Sequence, residues 1–344
     1  MDKRIRTVLI EDSAFMRKVI GDILTSDESI ELVGTAVNGK DGTELAIREK
    51  PDVIITDMVM PEYDGLYVVR SIMETQPTAV IVLSSLDKSN SRIFDALKFG
   101  AFDFIDKPTE LNVKSLSDYS LLELVKHAAK TDLSLLKAKE IKVEKKVHTF
   151  TGDAKHEIVV IGSSTGGPGA VENIIMKLPS NLSVPVVIAQ HMPARFLETF
   201  TQRLNDHSPL HVKLATKGEP LQAGKIYIAP GDINCYIGRS PVDQRPIFMF
   251  TNKSYDEFNN PSVNCLFESV ADVYGNRAIG VILTGMGRDG SRGLKKIHQA
   301  GGICIAQDEE SSVVFGMPKA AVEENAATEV VNLSDMTQHI LNKL

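Results

Sequence analysis

The chain is short of three things, and each shortage closes off a class of protein. Only three cysteines occur in 344 residues, Cys235, Cys265 and Cys304, far apart and with no Cys-x-x-Cys pair. An odd, scattered set excludes a disulfide framework and a structural zinc, and suits small core thiols in a reducing compartment. Long apolar runs are missing too, none approaching the roughly 18 to 20 residues of a membrane span. The opening Met1-Asp2-Lys3-Arg4 precedes an apolar stretch too short for a secretory signal, so a cytoplasmic location without membrane insertion is expected. Nor is there an excess of positive charge: 38 Lys and Arg face 45 Asp and Glu, a net −7. That is the wrong sign for holding nucleic acid through its phosphates, so nucleic acid is not expected as a partner. No repeat at a fixed period and no low-complexity tract is present.

What remains is a folded, two-domain composition, 43% hydrophobic and 24% charged. Short apolar runs alternate with amphipathic stretches, the pattern of parallel strands joined by crossover helices. In the first 110 residues the predicted strands are 7–10, 31–36, 53–56, 79–83 and 102–105, a flavodoxin-like order of elements with ligands expected at the carboxyl ends of the strands. Helix patterns follow each of the first four, and a further one covers 116–129. From Lys126 to Lys146 there are seven lysines, three acids and neither Gly nor Pro. This reads as a partly helical linker whose lysines form a solvated face or a binding patch. Alternation resumes at Glu157, with strands predicted at 158–161, 185–190, 225–229, 278–283 and 302–306 and helices at 170–178, 193–204, 263–274 and 291–300. The fold class is therefore α/β: a flavodoxin-like domain over 1–125, a linker over 126–155, and a doubly wound, mainly parallel domain over 156–344.

Chemistry-bearing residues of the first domain fall at predicted strand ends: Glu11-Asp12, Asp57, Ser84 and Lys107-Pro108. Converging carboxylates raise one another's pKa, and a hard divalent cation relieves the repulsion, so Mg²⁺ is expected among them. The Lys107 ammonium and the Ser84 hydroxyl would then grip a phosphoryl group carried by Asp57. Taken singly, each acid has an ordinary role as a turn or capping residue.

In the second domain the strand ending at Ile161 runs into Gly162-Ser163-Ser164-Thr165-Gly166-Gly167-Pro168-Gly169 and then a helix. Such a loop can cradle phosphate or present a serine. The spacing matches neither the dinucleotide fingerprint nor a P-loop, and no Lys follows the glycines. A serine nucleophile needs a base, and His191 and Asp289 stand after two later strands. His191 would take the proton of Ser164 and return it to the leaving group, with Asp289 orienting the imidazole. Spacing alone leaves this open, because a His at a strand end, an Asp before Gly290 and a Gly/Ser loop are each common without catalysis.

Taken together, Glu11-Asp12, Thr56 to Pro61, Asp64-Gly65, Ser84 and Lys107-Pro108 resemble the response-regulator receiver domain. The resemblance implies phosphorylation of Asp57 by a histidine kinase and Mg²⁺ held by Glu11, Asp12, Asp57 and the Met58 carbonyl. It also implies a switch through Ser84 or Ser85, Lys107 and Phe104. The second half resembles the catalytic domain of chemotaxis protein-glutamate methylesterases at 161–169, 190–193, 227–231, 261–263, 283–290, 306–308 and 316–318. That implies Ser164 as nucleophile, His191 as base, Asp289 as orienting acid, and the His191 and Met286 backbone amides as oxyanion donors, with no cofactor for the esterase step. Methyl-accepting chemotaxis receptors would be the substrate, demethylated at glutamate and deamidated at glutamine, and a chemotaxis histidine kinase the phosphodonor. Ser163, Asn234, Asn264 and Arg288 depart from the residues usual in that family; Asn234 and Arg288 are expected at the mouth of the site. Two other classes remain: a DNA-binding output, disfavoured by charge and pattern, and an adaptor that binds in a phosphorylation-dependent way without catalysis.

Overall fold

The structure is a computed structural model that describes residues 3–84, 90–107, 118–136, 154–255 and 260–344. The chain divides into two compact units, Met1–Glu140 and Ile141–Leu344. Most of the expected linker, 137–153, together with Ser85 and Pro108, lies outside the described residues.

In the first unit the strands are β1 (Ile5–Ile10), β2 (Ile30–Ala36), β3 (Val53–Asp57), β4 (Ala79–Ser84) and β5 (Asp103–Asp106). The helices between and after them are α1 (Ala14–Thr25), α2 (Gly39–Glu49), α3 (Gly65–Thr75), α4 (Asn90–Lys98) and α5 (Asp118–Ala128). The sheet is parallel in the order β2-β1-β3-β4-β5, the flavodoxin-like arrangement expected. β3 and β4 are buried along their whole length, which is why they read as continuous apolar runs rather than as an alternation. Lys126, read as the start of the linker, is in α5 and pairs with Asp27 at 2.9 Å. A turn of 3₁₀ helix at Leu133–Leu135 follows, and Leu136 is buried.

The second unit contains β6 (Ile158–Ser163), β7 (Val186–Gln190), β8 (His211–Leu214), β9 (Lys225–Ile228), β10 (Asn234–Arg239), β11 (Pro246–Thr251), β12 (Ala278–Ile282), β13 (Ile303–Gln307) and β14 (Glu329–Val331). Its helices are α6 (Gly167–Ile175), α7 (Ala194–His207), α8 (Val263–Tyr274), α9 (Ser291–Gln299), α10 (Met317–Glu323) and α11 (Leu333–Lys343). Seven strands form one parallel sheet ordered β14-β13-β12-β6-β7-β9-β8, and β10 and β11 form a separate antiparallel pair. Alternate residues of β6 divide between two cores, because successive side chains of a strand point to opposite faces. Ile158 and Val160 share a cluster with Val263, Leu266, Phe267 and Val270 of α8. Val159 and Ile161 line an apolar space with Ile174 of α6 and Ile340 of α11. The sheet is thus doubly wound. Burying Phe267 and Leu266 completely stabilises the unit by roughly 1.5 to 3 kcal/mol each.

Sequence reading missed β8, the hairpin pair and β14. β8 and β14 are short edge strands, and β8, β10 and β14 mix polar with apolar residues, so no run stands out there; β11 carries the apolar run Ile247–Phe250 but opens on Pro246 and lies outside the parallel sheet.

Candidate functional site

In the first unit Asp57 ends β3, flanked by β1 and β4, so the Glu11-Asp12 pair after β1 and the end of β4 face it. One ligand oxygen from each of Glu11, Asp12 and Asp57 lies within 4.8 Å of the others. Glu11 and Asp57 are buried and Asp12 is exposed. The Lys107 ammonium bridges the buried pair, 2.6 Å from Asp57 and 2.8 Å from Glu11. Burial nevertheless pushes both carboxyls above their ordinary range, outweighing the hydrogen bond and charge of Lys107. The Asp12 charge pushes Asp57 the same way. A hard divalent cation fits this set: the donors are oxygens, too close together to ionise cheaply without more positive charge. The Met58 carbonyl beside them accepts one bond, from the Gly65 amide at 3.1 Å, and a carbonyl has two lone pairs. Gly65 permits this approach, since a Cβ there would stand 2.4 Å from the Asp57 carbonyl. Ser84 is buried opposite Asp106 on β5, its carbonyl accepting from the Lys107 amide at 2.8 Å. Phe104 is half-buried on the edge strand β5.

In the second unit β6 lies between β7 and β12, where the strand order reverses direction, and crevices open at such points. Ser164 follows β6, His191 follows β7, and the Thr284–Asp289 loop follows β12. Ser163 and Gln190 are register partners, so Ser164 and His191 leave adjacent rungs of one ladder. The two neighbouring serines are distinguished by their bonding. Ser163 is fully buried and donates to Gln190 at 2.6 Å. Ser164 is half-buried, and its hydroxyl makes no hydrogen bond to a described residue.

Asp289 is buried yet receives four donors. Its Oδ1 accepts from the Ser262 hydroxyl at 3.1 Å and the Asn264 amide at 2.9 Å. Its Oδ2 accepts from the Val263 amide at 2.7 Å and pairs with His191 Nε2 at 2.8 Å. Two of these amides belong to the first turn of α8, where free N–H groups and the helix dipole favour an anion. Burial alone raises the carboxyl, but the His191 bond and charge and the two amides outweigh it and hold it below the ordinary range. An ionised Asp289 fixes the proton of His191 on Nε2, leaving Nδ1 as the lone-pair nitrogen. The Ser-His-Asp template uses the opposite assignment, with the acid on Nδ1.

Of the two amides expected to face an oxyanion, Met286 makes no hydrogen bond to a described residue. The His191 amide is committed to the Ser163 carbonyl at 2.9 Å, continuing the ladder of β6 and β7. An N–H already donated is not on offer to an oxyanion, which corrects that expectation. A second correction concerns Asn234, which is buried rather than at a mouth. Its Oδ1 accepts from the Ser262 amide at 2.7 Å and its Nδ2 donates to the Lys253 carbonyl at 2.8 Å. Arg288 is exposed and pairs with Glu324. Sequence reading also missed Ser262, although Pro-Ser-Val before an apolar helix is a legible N-cap.

Residues 159–340 match the family described as CheB methylesterase, and residues 7–115 match the response regulator receiver domain. A protein-glutamate methylesterase/protein-glutamine glutaminase of Archaeoglobus fulgidus is 40% identical across 98% of each chain. The Thermotoga maritima protein of the same name is 42% identical across 96% of each chain. The crystal structure of the Thermotoga maritima CheB methylesterase catalytic domain superposes with a TM-score of 0.53 at 39% identity, covering 55% of this chain and 99% of that one.

Proposed function

The chain belongs to the CheB methylesterase family, with a response regulator receiver domain in front, and from that premise we propose that it is a phosphorylation-activated protein-glutamate methylesterase. Its substrates in this reading are glutamate γ-methyl esters of chemotaxis receptors, and receptor glutamines that it deamidates. The observation that carries the reading is the contrast between an unengaged Ser164 hydroxyl and a His191 held by an ionised Asp289, on three adjacent strand ends.

Ser164 attacks the ester carbonyl while His191 accepts its proton at Nδ1, and Asp289 stabilises the resulting imidazolium through Nε2. The tetrahedral oxyanion takes the Met286 N–H. Collapse expels methanol, protonated by His191. Water then attacks the acyl-enzyme with His191 again as base, releasing glutamate and restoring Ser164. Deamidation follows the same course with ammonia leaving. No cofactor enters these steps.

In the receiver, Asp57 accepts a phosphoryl group from a chemotaxis histidine kinase. Glu11, Asp12, Asp57 and the Met58 carbonyl would hold Mg²⁺, whose charge offsets that of the carboxylates and the phosphoryl oxygens. Lys107 and Ser84 take phosphoryl oxygens, and Phe104 responds on the β5 edge. Domain limits of 1–125 and 156–344, with 126–155 between them, keep the receiver tethered at high effective concentration. Phosphorylation then shifts the population towards an active arrangement.

The test is methanol release from methylated receptor membranes by wild type, Ser164→Ala and Asp57→Asn, with and without a small-molecule phosphodonor and Mg²⁺. Wild type should be active and stimulated by the donor, Ser164→Ala inactive, and Asp57→Asn indifferent to the donor. No release by wild type together with no labelling of Ser164 by a serine-directed phosphonate would replace this reading with the adaptor.

A further inference from the structure

The Gln190 side chain joins the backbones of the two residues that exchange the proton. It is 1% exposed, and its Nε2 donates to the Ser164 carbonyl at 2.9 Å and to the His191 carbonyl at 3.1 Å. Its Oε1 accepts from the Ser163 hydroxyl at 2.6 Å. A primary amide has two N–H donors and an acceptor oxygen, and every kind of group is engaged here. Turning the amide over would set its oxygen against two carbonyl oxygens, so only one orientation is tolerated. The amide also fills space that no side chain at Gly167 could share, since a Cβ there would stand 2.3 Å from Oε1 and 2.8 Å from the Ser163 Cβ. The Ser163 hydroxyl supplies the donor at the oxygen end and so holds the amide from that side.

We propose that Gln190 is a positioning residue that sets the separation of Ser164 from His191, and that Ser163 locks its amide in the working orientation. The inference rests on the esterase reading. Gln190 acts through the two backbones and not on substrate. Beyond the last register pair, Ser163 with Gln190, the His191 amide still donates to the Ser163 carbonyl and the Ser164 amide to the Thr284 carbonyl, but among the described residues no backbone bond joins Ser164 to His191 directly. One buried amide spanning both carbonyls supplies that link. A displacement of about 1 Å between reacting groups costs on the order of a hundredfold in rate.

The experiment uses the full-length protein and four chains: wild type, Gln190→Met, Ser163→Ala and Ser164→Ala. Methanol release gives kcat and KM, and titration with a serine-directed phosphonate counts competent sites, so folding losses do not enter kcat per site. Gln190→Met keeps the length and removes all three polar contacts. Its kcat per titrated site should fall about a hundredfold with KM unchanged. Ser163→Ala should show a smaller fall in the same direction, again at constant KM. An unchanged kcat per site in Gln190→Met, or a rise in KM alone, overturns the proposal. Should Gln190→Met not fold, Ser163→Ala decides: a kcat per site equal to wild type overturns it. Failure of wild-type Ser164 to be labelled, or full activity in Ser164→Ala, brings down the esterase reading instead, and this proposal with it.

Discussion

Replacing Asp289 by asparagine alters no volume and few atoms, yet two separate losses are expected. The carboxylate has two acceptor ends, each facing two donors: Ser262 Oγ and the Asn264 amide at one, the Val263 amide and His191 Nε2 at the other. An asparagine must turn its NH₂ to one of those ends, where it opposes at least one buried backbone N–H. Losing a charge-assisted bond costs about 1.5 to 3 kcal/mol, and an unsatisfied buried N–H about 1 to 3. A net loss of about 3 kcal/mol should lower the melting temperature of the catalytic unit by roughly 6 to 12 °C. In the other loss, an NH₂ facing His191 turns Nε2 into the acceptor and puts the proton on Nδ1, the nitrogen needed as base. The activity cost of such a wrong tautomer is about 10⁴-fold in kcat. Because the native Asp289 carboxyl lies below its ordinary value, its contribution is present above the ordinary carboxylate range and disappears as pH falls through the lowered value. The stability gap between variant and wild type should therefore close in acid. Calorimetry across pH, with methanol release at neutral pH, measures both losses. Activity within tenfold of wild type, or a gap that persists in strong acid, would refute the reasoning.

The receiver gives predictions of opposite sign. Glu11 and Asp57 have raised carboxyl pKa values, so the folded state holds their protons longer than the unfolded chain does. Their contribution is favourable at low pH and is lost as pH rises from the ordinary carboxylate range through the raised values. Asp57→Asn should accordingly raise the receiver's melting temperature at neutral pH while abolishing phosphoryl uptake, and a lowered melting temperature would count against the account. Mg²⁺ at about 100 times its dissociation constant should stabilise wild type by about 2.7 kcal/mol, and by less in acid; calorimetry with and without chelator reads this. Lys107→Met removes the ammonium bridging Glu11 and Asp57 and should cost about 3 to 5 kcal/mol, measured by urea unfolding. Ser164→Ala should leave the melting temperature near that of wild type, since its hydroxyl bonds no described residue, yet end methanol release.

The sequence made the central parallel strands legible because they are buried on both faces. Val53–Asp57 opens on three apolar residues and Ala278–Ile282 has no polar side chain. α8 was readable to the residue, since Ser262 caps it and Gly275 ends it. The candidate residues Asp57, Ser164, His191 and Asp289 were picked for a related reason: strand ends in an α/β fold are the expected place for reactive groups, and each of them lies at or just after a strand end. The residues that hold those groups were not found. Ser262, Asn234 and Gln190 act through side-chain hydrogen bonds that reach across 26 to 28 positions of chain, and no periodicity encodes such a contact. The same gap explains the His191 amide. That a backbone N–H is already committed to Ser163 depends on how far the ladder runs, and β6 extends two residues past its expected end.

The placement of β6 between β7 and β12 has a consequence for the life of the molecule before it is complete. Ser164, His191 and Asp289 come from segments spread over more than a third of the chain, and Asp289 emerges last during synthesis. In the proposed mechanism, a nascent or clipped chain that lacks the loop after β12 would hold Ser164 and His191 without the acid that orients the base. Domains fold in the order they are made, so the receiver unit can be complete while the catalytic sheet is still being synthesised. Under the proposed Ser-His-Asp mechanism, topology alone would hold back ester cleavage by such a fragment, without a propeptide or an inhibitor, and full hydrolysis would report that the centre of the sheet has closed.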